Sequence, residues 1–199
     1  SVEPVLIAPT GTGTSKIAEV EAFQIPDYIL NDPQQVGYPD KEMQDEIYGW
    51  VYDSVNKLAD PDTRFRSTIT DFGAGRGDIS HWFSGGDAFK YTGFETNPIL
   101  VQAGNQKYKE SKYIDFTLIQ QDFFDSNIKS DFTICVGTLN SIPTENKWGL
   151  FRRTMQKALE TTEKAIIFVL SNKFDVEGFN DFPFKELFDH LPNNPFTID

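Results

Sequence analysis

Short apolar runs alternate with segments of helical spacing between residues 66 and 171. Strands that alternate with helices form right-handed βαβ crossovers, and these build a parallel sheet that helices cover on both faces. The sequence therefore predicts an α/β fold with a mostly parallel sheet. The expected strands are 66–72, 91–95, 114–120, 131–137 and 165–171, and the expected helices are GDISHWFSG (77–85), NPILVQAGNQKYKE (97–110) and NKWGLFRRTMQKALETT (146–162).

The chain has the length and composition of one globular domain. Its 199 residues are 39% hydrophobic and 14% aromatic, which is enough to bury a core. We divide it into an N-terminal arm and helix (1–62) and the main part of the domain (63–199). The helix is expected in DKEMQDEIYGWVYDSVNKLAD, where apolar side chains recur at helical spacing. The expected core-facing stripe consists of Met43, Ile47, Trp50, Val51, Val55 and Leu58.

The excess of acidic residues restricts the partners that such a chain can bind. Thirty acidic residues face 18 basic ones, and the net charge of −12 disfavours an extensive nucleic-acid surface, which needs a basic face. No apolar stretch approaches the roughly 20 residues that cross a bilayer, and the N-terminus does not resemble a secretory signal. Cys135 is the only cysteine, so neither a disulfide framework nor metal-ligand spacing is present. We expect a cytoplasmic protein without a metal ion or a membrane partner.

A glycine-rich loop, ITDFGAGRGDIS (69–80), follows the first expected strand. A dinucleotide fingerprint requires glycine at its first, third and sixth positions, but Asp78 stands at the sixth position after Gly73 and Gly75. A carboxylate there would repel a diphosphate at the same helix terminus. The loop therefore disfavours an NAD-dependent oxidoreductase. Its two acids, Asp71 and Asp78, suit a compact ligand with positive charge.

This loop resembles motif I of the class I S-adenosylmethionine-dependent methyltransferases, in which an acid two positions before the first glycine opens a G-x-G-x-G turn. The resemblance covers about residues 64–172 in order. Glu95 in YTGFETNP matches the acid that binds the ribose hydroxyls in that family. Asp122 in LIQQDFF matches the residue that pairs with the adenine amino group, with Phe123 beside it as an apolar wall. SDFTICVGTLN and EKAIIFVLSN match the motifs of the fourth and fifth strands.

The resemblance implies a Rossmann-like methyltransferase fold, S-adenosylmethionine as cofactor and methyl transfer as the activity. It also implies a set of cofactor-binding residues along the carboxyl edge of the sheet. These are Asp71, Gly73, Ala74, Gly75, Gly77, Asp78, Glu95, Thr96, Asp122, Phe123 and Gly137. A catalytically silent methyltransferase-like module in a larger assembly is the alternative.

The methyl acceptor is not identified by the sequence. The segment VGTLNSIP lacks the Asn or Asp followed by Pro-Pro and an aromatic residue of the DNA amino-methylases, and Cys135 does not follow a proline as in the cytosine C5 enzymes. A small molecule or a protein is therefore favoured over DNA. Thr138, Asn140 and Ser141 emerge at the acceptor side and are candidates to orient the acceptor, although hydrogen bonds within the turn are an equally simple role for them.

The chain departs from the family after the fifth strand. The remaining sequence predicts one short helix, FKELFDHL, and we expect the family's sixth and seventh strands to be missing or truncated. An uncovered edge strand as apolar as AIIFVL would invite aggregation. We expect this edge to be covered by the N-terminal segment PVLIAP, by another subunit of a homo-oligomer or by an additional domain.

Overall fold

The computed structural model describes residues 25–62, 66–84, 89–108, 115–172 and 179–191. Five strands and six α-helices lie in these ranges. The strands are β1 (Thr68–Phe72), β2 (Lys90–Glu95), β3 (Asp115–Gln120), β4 (Ser130–Val136) and β5 (Thr162–Val169). The helices are α1 (Asp27–Asn31), α2 (Lys41–Leu58), α3 (Pro98–Tyr108), α4 (Thr138–Ser141), α5 (Lys147–Thr161) and α6 (Phe184–Leu187), with short 3-10 helices at Pro33–Val36, Asp78–Phe83, Phe123–Asp125 and Phe188–His190.

The strands form one sheet in the order β3-β2-β1-β4-β5, and every neighbouring pair is parallel. This confirms the predicted α/β class, and all five expected strands are present within about three residues of their expected limits. The strand order reverses between β1 and β4. In an open parallel sheet such a reversal leaves a crevice at the carboxyl ends of the strands, where ligands bind.

Each face of the sheet has its own apolar core. On one face, α2 and the 3-10 helix Asp78–Phe83 pack their buried side chains against β1, β2 and β4. On the other face, α5 and the segment around Phe182 pack against the opposite side of the same strands. Cys135 is fully buried in this second core, as a small apolar residue would be. The helices on both faces confirm the predicted layer arrangement.

Helix α2 buries part of the predicted stripe, including Val51 and Val55, but not Trp50. The buried residues are Gln44, Tyr48, Val51 and Val55, whereas Trp50 is 58% exposed. Met43 and Leu58 are exposed as well. The prediction considered only apolar residues and so left out Tyr48, whose ring packs edge-on against Tyr38 with centroids 5.4 Å apart. Including Tyr48 rotates the buried face away from Trp50.

Two further helix predictions, one after the glycine loop and one near residue 190, can be compared with the structure. The helix expected after the glycine loop is a shorter 3-10 helix, Asp78–Phe83, and Gly85 and Gly86 follow in the sequence, where glycine disfavours helix continuation. The helix expected in FKELFDHL is present as α6 and the 3-10 turn Phe188–His190.

Strand β5 lies at the edge of the described sheet and pairs with β4. The described residues after β5, which end at position 191, form no further strand. The segment PVLIAP lies outside the described residues, so the covering of this edge stays a prediction. Within the described part of the chain, no helix is long and apolar enough to cross a membrane.

The orientation of α2 can be tested with two neighbouring substitutions. Val51 is fully buried, and burying a valine side chain contributes about 1.5–3 kcal/mol to stability. We expect Val51→Ala to lower the free energy of unfolding in urea by about that amount. Trp50→Ala should change it by no more than about 0.5 kcal/mol, as for other exposed sites. A larger loss for Trp50→Ala than for Val51→Ala would show that Trp50 faces the core, as the sequence predicted.

Candidate cofactor-binding site

The carboxyl group of Asp71 is buried at the end of β1, beside the reversal of strand order. The residue is 3% exposed, and the phenol of Tyr91 on β2 donates a 2.6 Å hydrogen bond to its Oδ2 atom. Burial raises the pKa of Asp71 to about 7. The hydrogen bond from Tyr91 opposes this rise, and the negative charge of Glu95 adds to it.

Neither Asp71 nor Glu95 has a cationic partner among the side chains that the structure describes. The ion pairs in these ranges involve other carboxylates: those of Asp45, Asp78, Asp115 and Asp131. The same ranges contain no group of three or more His, Cys, Asp or Glu side chains placed to hold a metal ion. Two neighbouring carboxyl groups without a cation oppose each other's ionisation.

Glu95 is the last residue of β2, and its side chain links the glycine loop to the turn that follows β2. Its Oε2 atom accepts a 3.0 Å hydrogen bond from the amide of Gly75, and its Oε1 atom accepts one of 2.7 Å from the amide of Asn97. An ionised carboxylate has about four lone-pair sites. Each oxygen of Glu95 therefore keeps one site free for a hydroxyl group while the two amides fix its position.

The turn that carries Gly73 is held by its neighbours on both sides. The amides of Gly73 and Ala74 both donate to the carbonyl of Phe94, at 2.9 Å each. The hydroxyl of Thr138 donates to the carbonyls of Phe72 and Gly73. Gly73 has a φ of +75°, and a Cβ atom there would lie 2.2 Å from Cγ2 of Thr138. Glycine is required here because both the backbone angle and Thr138 exclude a side chain.

Asp122 and Phe123 follow β3 in a tight turn. The Oδ1 atom of Asp122 accepts a 3.0 Å hydrogen bond from the amide of Phe124, and the residue is exposed. The second oxygen has no partner in the described structure and is free for a ligand. The ring of Phe123 is 6% exposed and stacks on Phe72 at 4.5 Å, so most of this expected apolar wall belongs to the core.

The other expected glycines and Thr96 differ in what surrounds them. Thr96 is exposed after β2. Gly137 follows β4 with a φ of +71°, and apart from its chain neighbours no atom of the described residues lies within 4 Å of the place that its Cβ would take. Gly77 instead packs against β3, because a Cβ there would lie 2.7 Å from the ring of Phe116. Gly77 therefore serves close packing between the loop and the sheet.

Asp78, which we expected beside a cationic ligand, lies in an internal ion cluster. Its Oδ2 atom accepts from Nε and Nη2 of Arg76 at 2.9 and 2.6 Å, and its Oδ1 atom accepts from Lys107 at 3.1 Å and Tyr108 at 2.5 Å. Burial alone would raise the pKa of Asp78, but Arg76 and Lys107 lower it below its usual value. The protein itself supplies cations to Asp78, and its expected role beside a cationic ligand stays a prediction.

The three acceptor-side candidates all make hydrogen bonds within the protein. The amide nitrogen of the buried Asn140 side chain donates to the carbonyls of Ser171 and Asn180, and its oxygen accepts from the amide of Ser171. The hydroxyl of Ser141 donates to the carbonyl of Thr138 in its own turn. Asn140 joins the ends of β4 and β5 to the C-terminal segment. Only Ser141 has the turn role that the sequence left open, because Thr138 and Asn140 bond to segments far away in the chain.

Two residues of this region were not singled out from the sequence. Tyr91 fixes the orientation of Asp71, and Arg76 holds Asp78. A signal was present for both. Tyr91 is a phenol within a buried strand, and such a hydroxyl needs a partner. Arg76 is a cation inside an otherwise small-residue loop, two positions before an acid.

The fold has known counterparts among solved structures. Magnesium protoporphyrin IX methyltransferase (ChlM) from Synechocystis PCC 6803, with bound SAH, superposes with a TM-score of 0.56 at 16% identity, over 82% of this chain and 84% of that one. TehB from Haemophilus influenzae gives 0.56 at 16% identity, over 71% and 49% of the two chains. The chain has the class I methyltransferase fold. No protein-family model and no curated protein sequence matches it.

In this fold, the residues singled out by the sequence motifs lie at the carboxyl ends of the strands. Asp71, Glu95, Asp122 and Gly137 follow β1, β2, β3 and β4 or stand at the ends of these strands. Because all the strands are parallel, the four positions share one edge of the sheet. The motifs therefore meet at the crevice where this fold leaves room for a ligand.

The buried charge of Asp71 predicts a pH-dependent stability of the free protein. Its pKa is raised in the folded state, so its contribution is fully present below pH 4 and is lost as the pH rises to about 7. We expect Asp71→Asn to remove this pH-dependent loss of unfolding free energy, which amounts to up to roughly 4 kcal/mol. The measurement is the difference in unfolding free energy between variant and wild type, from pH 4 to 8. A difference that stays flat over this range would contradict the assignment.

Proposed function

We propose that this protein binds S-adenosylmethionine and transfers its methyl group to a small molecule or a protein. The observation that carries the proposal is the pair of carboxylates, Asp71 and Glu95, without a cation among the described side chains. A folded protein tolerates such a pair best when a ligand brings the positive charge. S-adenosylmethionine is a sulfonium cation with an ammonium group and two ribose hydroxyls, which matches these acceptors.

Each part of the proposed cofactor has a candidate partner. The free lone pairs of Glu95 suit the two ribose hydroxyls, and the free oxygen of Asp122 suits an adenine amino group. Asp71 lies beside the glycine turn and is assigned to the ammonium group. The space that the described residues leave at Gly137 gives room for the reacting end. Bound SAH in ChlM, which has the same fold, supports this assignment by analogy.

The proposed chemistry requires positioning more than proton transfer. S-adenosylmethionine supplies an already activated methyl group on sulfur. The residues of this chain would hold the cofactor and exclude water from it, and aligned geometry of that kind lowers a barrier by about 7–11 kcal/mol. Asp71 and Glu95 would also offset the positive charge of the bound cofactor.

The acceptor is proposed only as a class. ChlM is named for magnesium protoporphyrin IX, but a shared fold at 16% identity does not carry an acceptor from one chain to another. The acidic surface disfavours a nucleic-acid acceptor. One observation favours the second candidate, a silent methyltransferase-like module: Thr138, Asn140 and Ser141 all make internal hydrogen bonds.

Calorimetry tests the cofactor directly. We expect S-adenosylmethionine and its demethylated product to bind, and NADH not to bind. If neither of the first two binds below millimolar concentration, the methyltransferase proposal fails. Methyl transfer is tested with radiolabelled cofactor in cell extract that is fractionated into nucleic acids, proteins and small molecules. Label in either of the last two fractions supports an active enzyme, and binding without label in any fraction supports the silent module.

Glu95→Ala should weaken the binding of S-adenosylmethionine by about 1.5–3 kcal/mol, the range for hydrogen bonds to a charged group. Asp115→Ala is the matched control, because this exposed carboxylate begins β3 at the opposite edge of the sheet. The control should leave the affinity unchanged. Equal affinities for Glu95→Ala and wild type would show that the ribose is bound elsewhere.

A further inference from the structure

Arg76 is the largest side chain that the described structure buries almost completely, with 1% of its surface exposed. A buried guanidinium needs both a counter-charge and acceptors for its five N–H groups. Asp78 supplies the charge. The Nη1 atom donates in another direction, to the carbonyls of Ile29 at 2.6 Å and Asp32 at 2.9 Å. Arg76 thus joins the glycine loop to a segment more than 40 residues earlier in the chain.

The segment that it joins, residues 26–38, is called the cap segment below. It comprises α1, the 3-10 helix Pro33–Val36 and the turn at Gly37. The last carbonyls of a helix lack partners within the helix and attract cations. Arg76 satisfies one such carbonyl, that of Ile29, and also donates to the carbonyl of Asp32, which accepts from the amide of Gln35 as well. Lys107 adds a 3.3 Å hydrogen bond to the carbonyl of Leu30. Both cations are themselves held by Asp78.

The cap segment reaches the glycine loop at Val36. A Cβ atom on Gly75 would lie 2.9 Å from Cγ1 of Val36, so this side chain lies directly over the loop backbone. The amide of Gly75 donates to Glu95. Val36 therefore covers the peptide whose amide holds Glu95. The next aromatic residue of the cap segment, Tyr38, packs against Tyr48 of α2 and anchors the segment to the domain.

We infer that Arg76 is a positioning residue, which fastens the cap segment onto the glycine loop so that Val36 forms a wall of the cofactor site. This inference rests on the proposed function for the identity of the ligand. The fastening itself is independent of that ligand, because all its bonds lie within the protein. Loss of Arg76 would release the wall and leave Glu95 and Asp71 in place.

Hydrogen exchange of the ligand-free protein tests the fastening. In Arg76→Met we expect the amides of residues 27–38 to exchange at least tenfold faster than in wild type, with β1 and β4 unchanged. Lys90→Met is the control, because Lys90 forms a 3.9 Å surface ion pair with Asp115, away from the cap segment. If residues 27–38 exchange at the wild-type rate in Arg76→Met, the inference is wrong. If that variant does not fold, Arg76→Lys, which keeps the charge but has fewer donors, takes its place.

Calorimetry with the demethylated cofactor tests the wall. Arg76→Met should bind it at least tenfold more weakly than wild type, and Val36→Ala, which leaves the ion cluster intact, should lie between the two. Faster exchange with unchanged affinity would overturn the role in binding. If the wild type does not bind at all, the proposed function fails and the wall with it, while the exchange data still decide whether Arg76 fastens the cap segment.

Discussion

The burial of Asp71 beside Glu95, where the strand order reverses, is the constraint on which the rest of the site depends. A carboxylate out of water favours its neutral form unless a cation lies near it. The described structure brings only the phenol of Tyr91 to Asp71. Asp78, the other acid of this loop, differs from Asp71 because Arg76 and Lys107 form ion pairs with it. The protein thus compensates the charge of Asp78 internally, and the described side chains leave that of Asp71 uncompensated.

The parallel sheet explains why these groups meet. Register places Asp71 opposite Gly93 on β2 and Ile134 on β4, so the acid stands one residue before the end of β1, between its two neighbours. Glycine at position 93 also matters, because a Cβ there would lie 2.6 Å from that of Ala74 in the loop. The loop can therefore fold back over β2 and receive the carboxylate of Glu95. The absence of a side chain at Gly93 thus permits the hydrogen bond from the amide of Gly75 to Glu95.

The sequence predicted the strands and the acids at their ends, because continuous apolar runs and their boundaries are local features. It did not predict which way Asp78 faces, since the cation Lys107 comes from α3, nearly 30 residues later in the chain. Trp50 was misplaced because Tyr48, a residue with both polar and apolar parts, decides which side of α2 is buried. The roles of Asn140 and Asn180 depend on contacts across 40 residues, which spacing alone does not reveal.

Protonation of Asp71 and binding of a cation are linked. A positive ligand beside this carboxylate favours its ionised form, so by reciprocity a rise in pH through about 7 strengthens the binding of that ligand. The same rise lowers the stability of the free protein. Ligand affinity and the stability of the free protein change in opposite directions because the charge of Asp71 is uncompensated in the free protein and paired in the complex. The ionised acid would repel an anionic ligand, and a neutral donor would gain less from it than a cation, so the burial of Asp71 favours a ligand with positive charge.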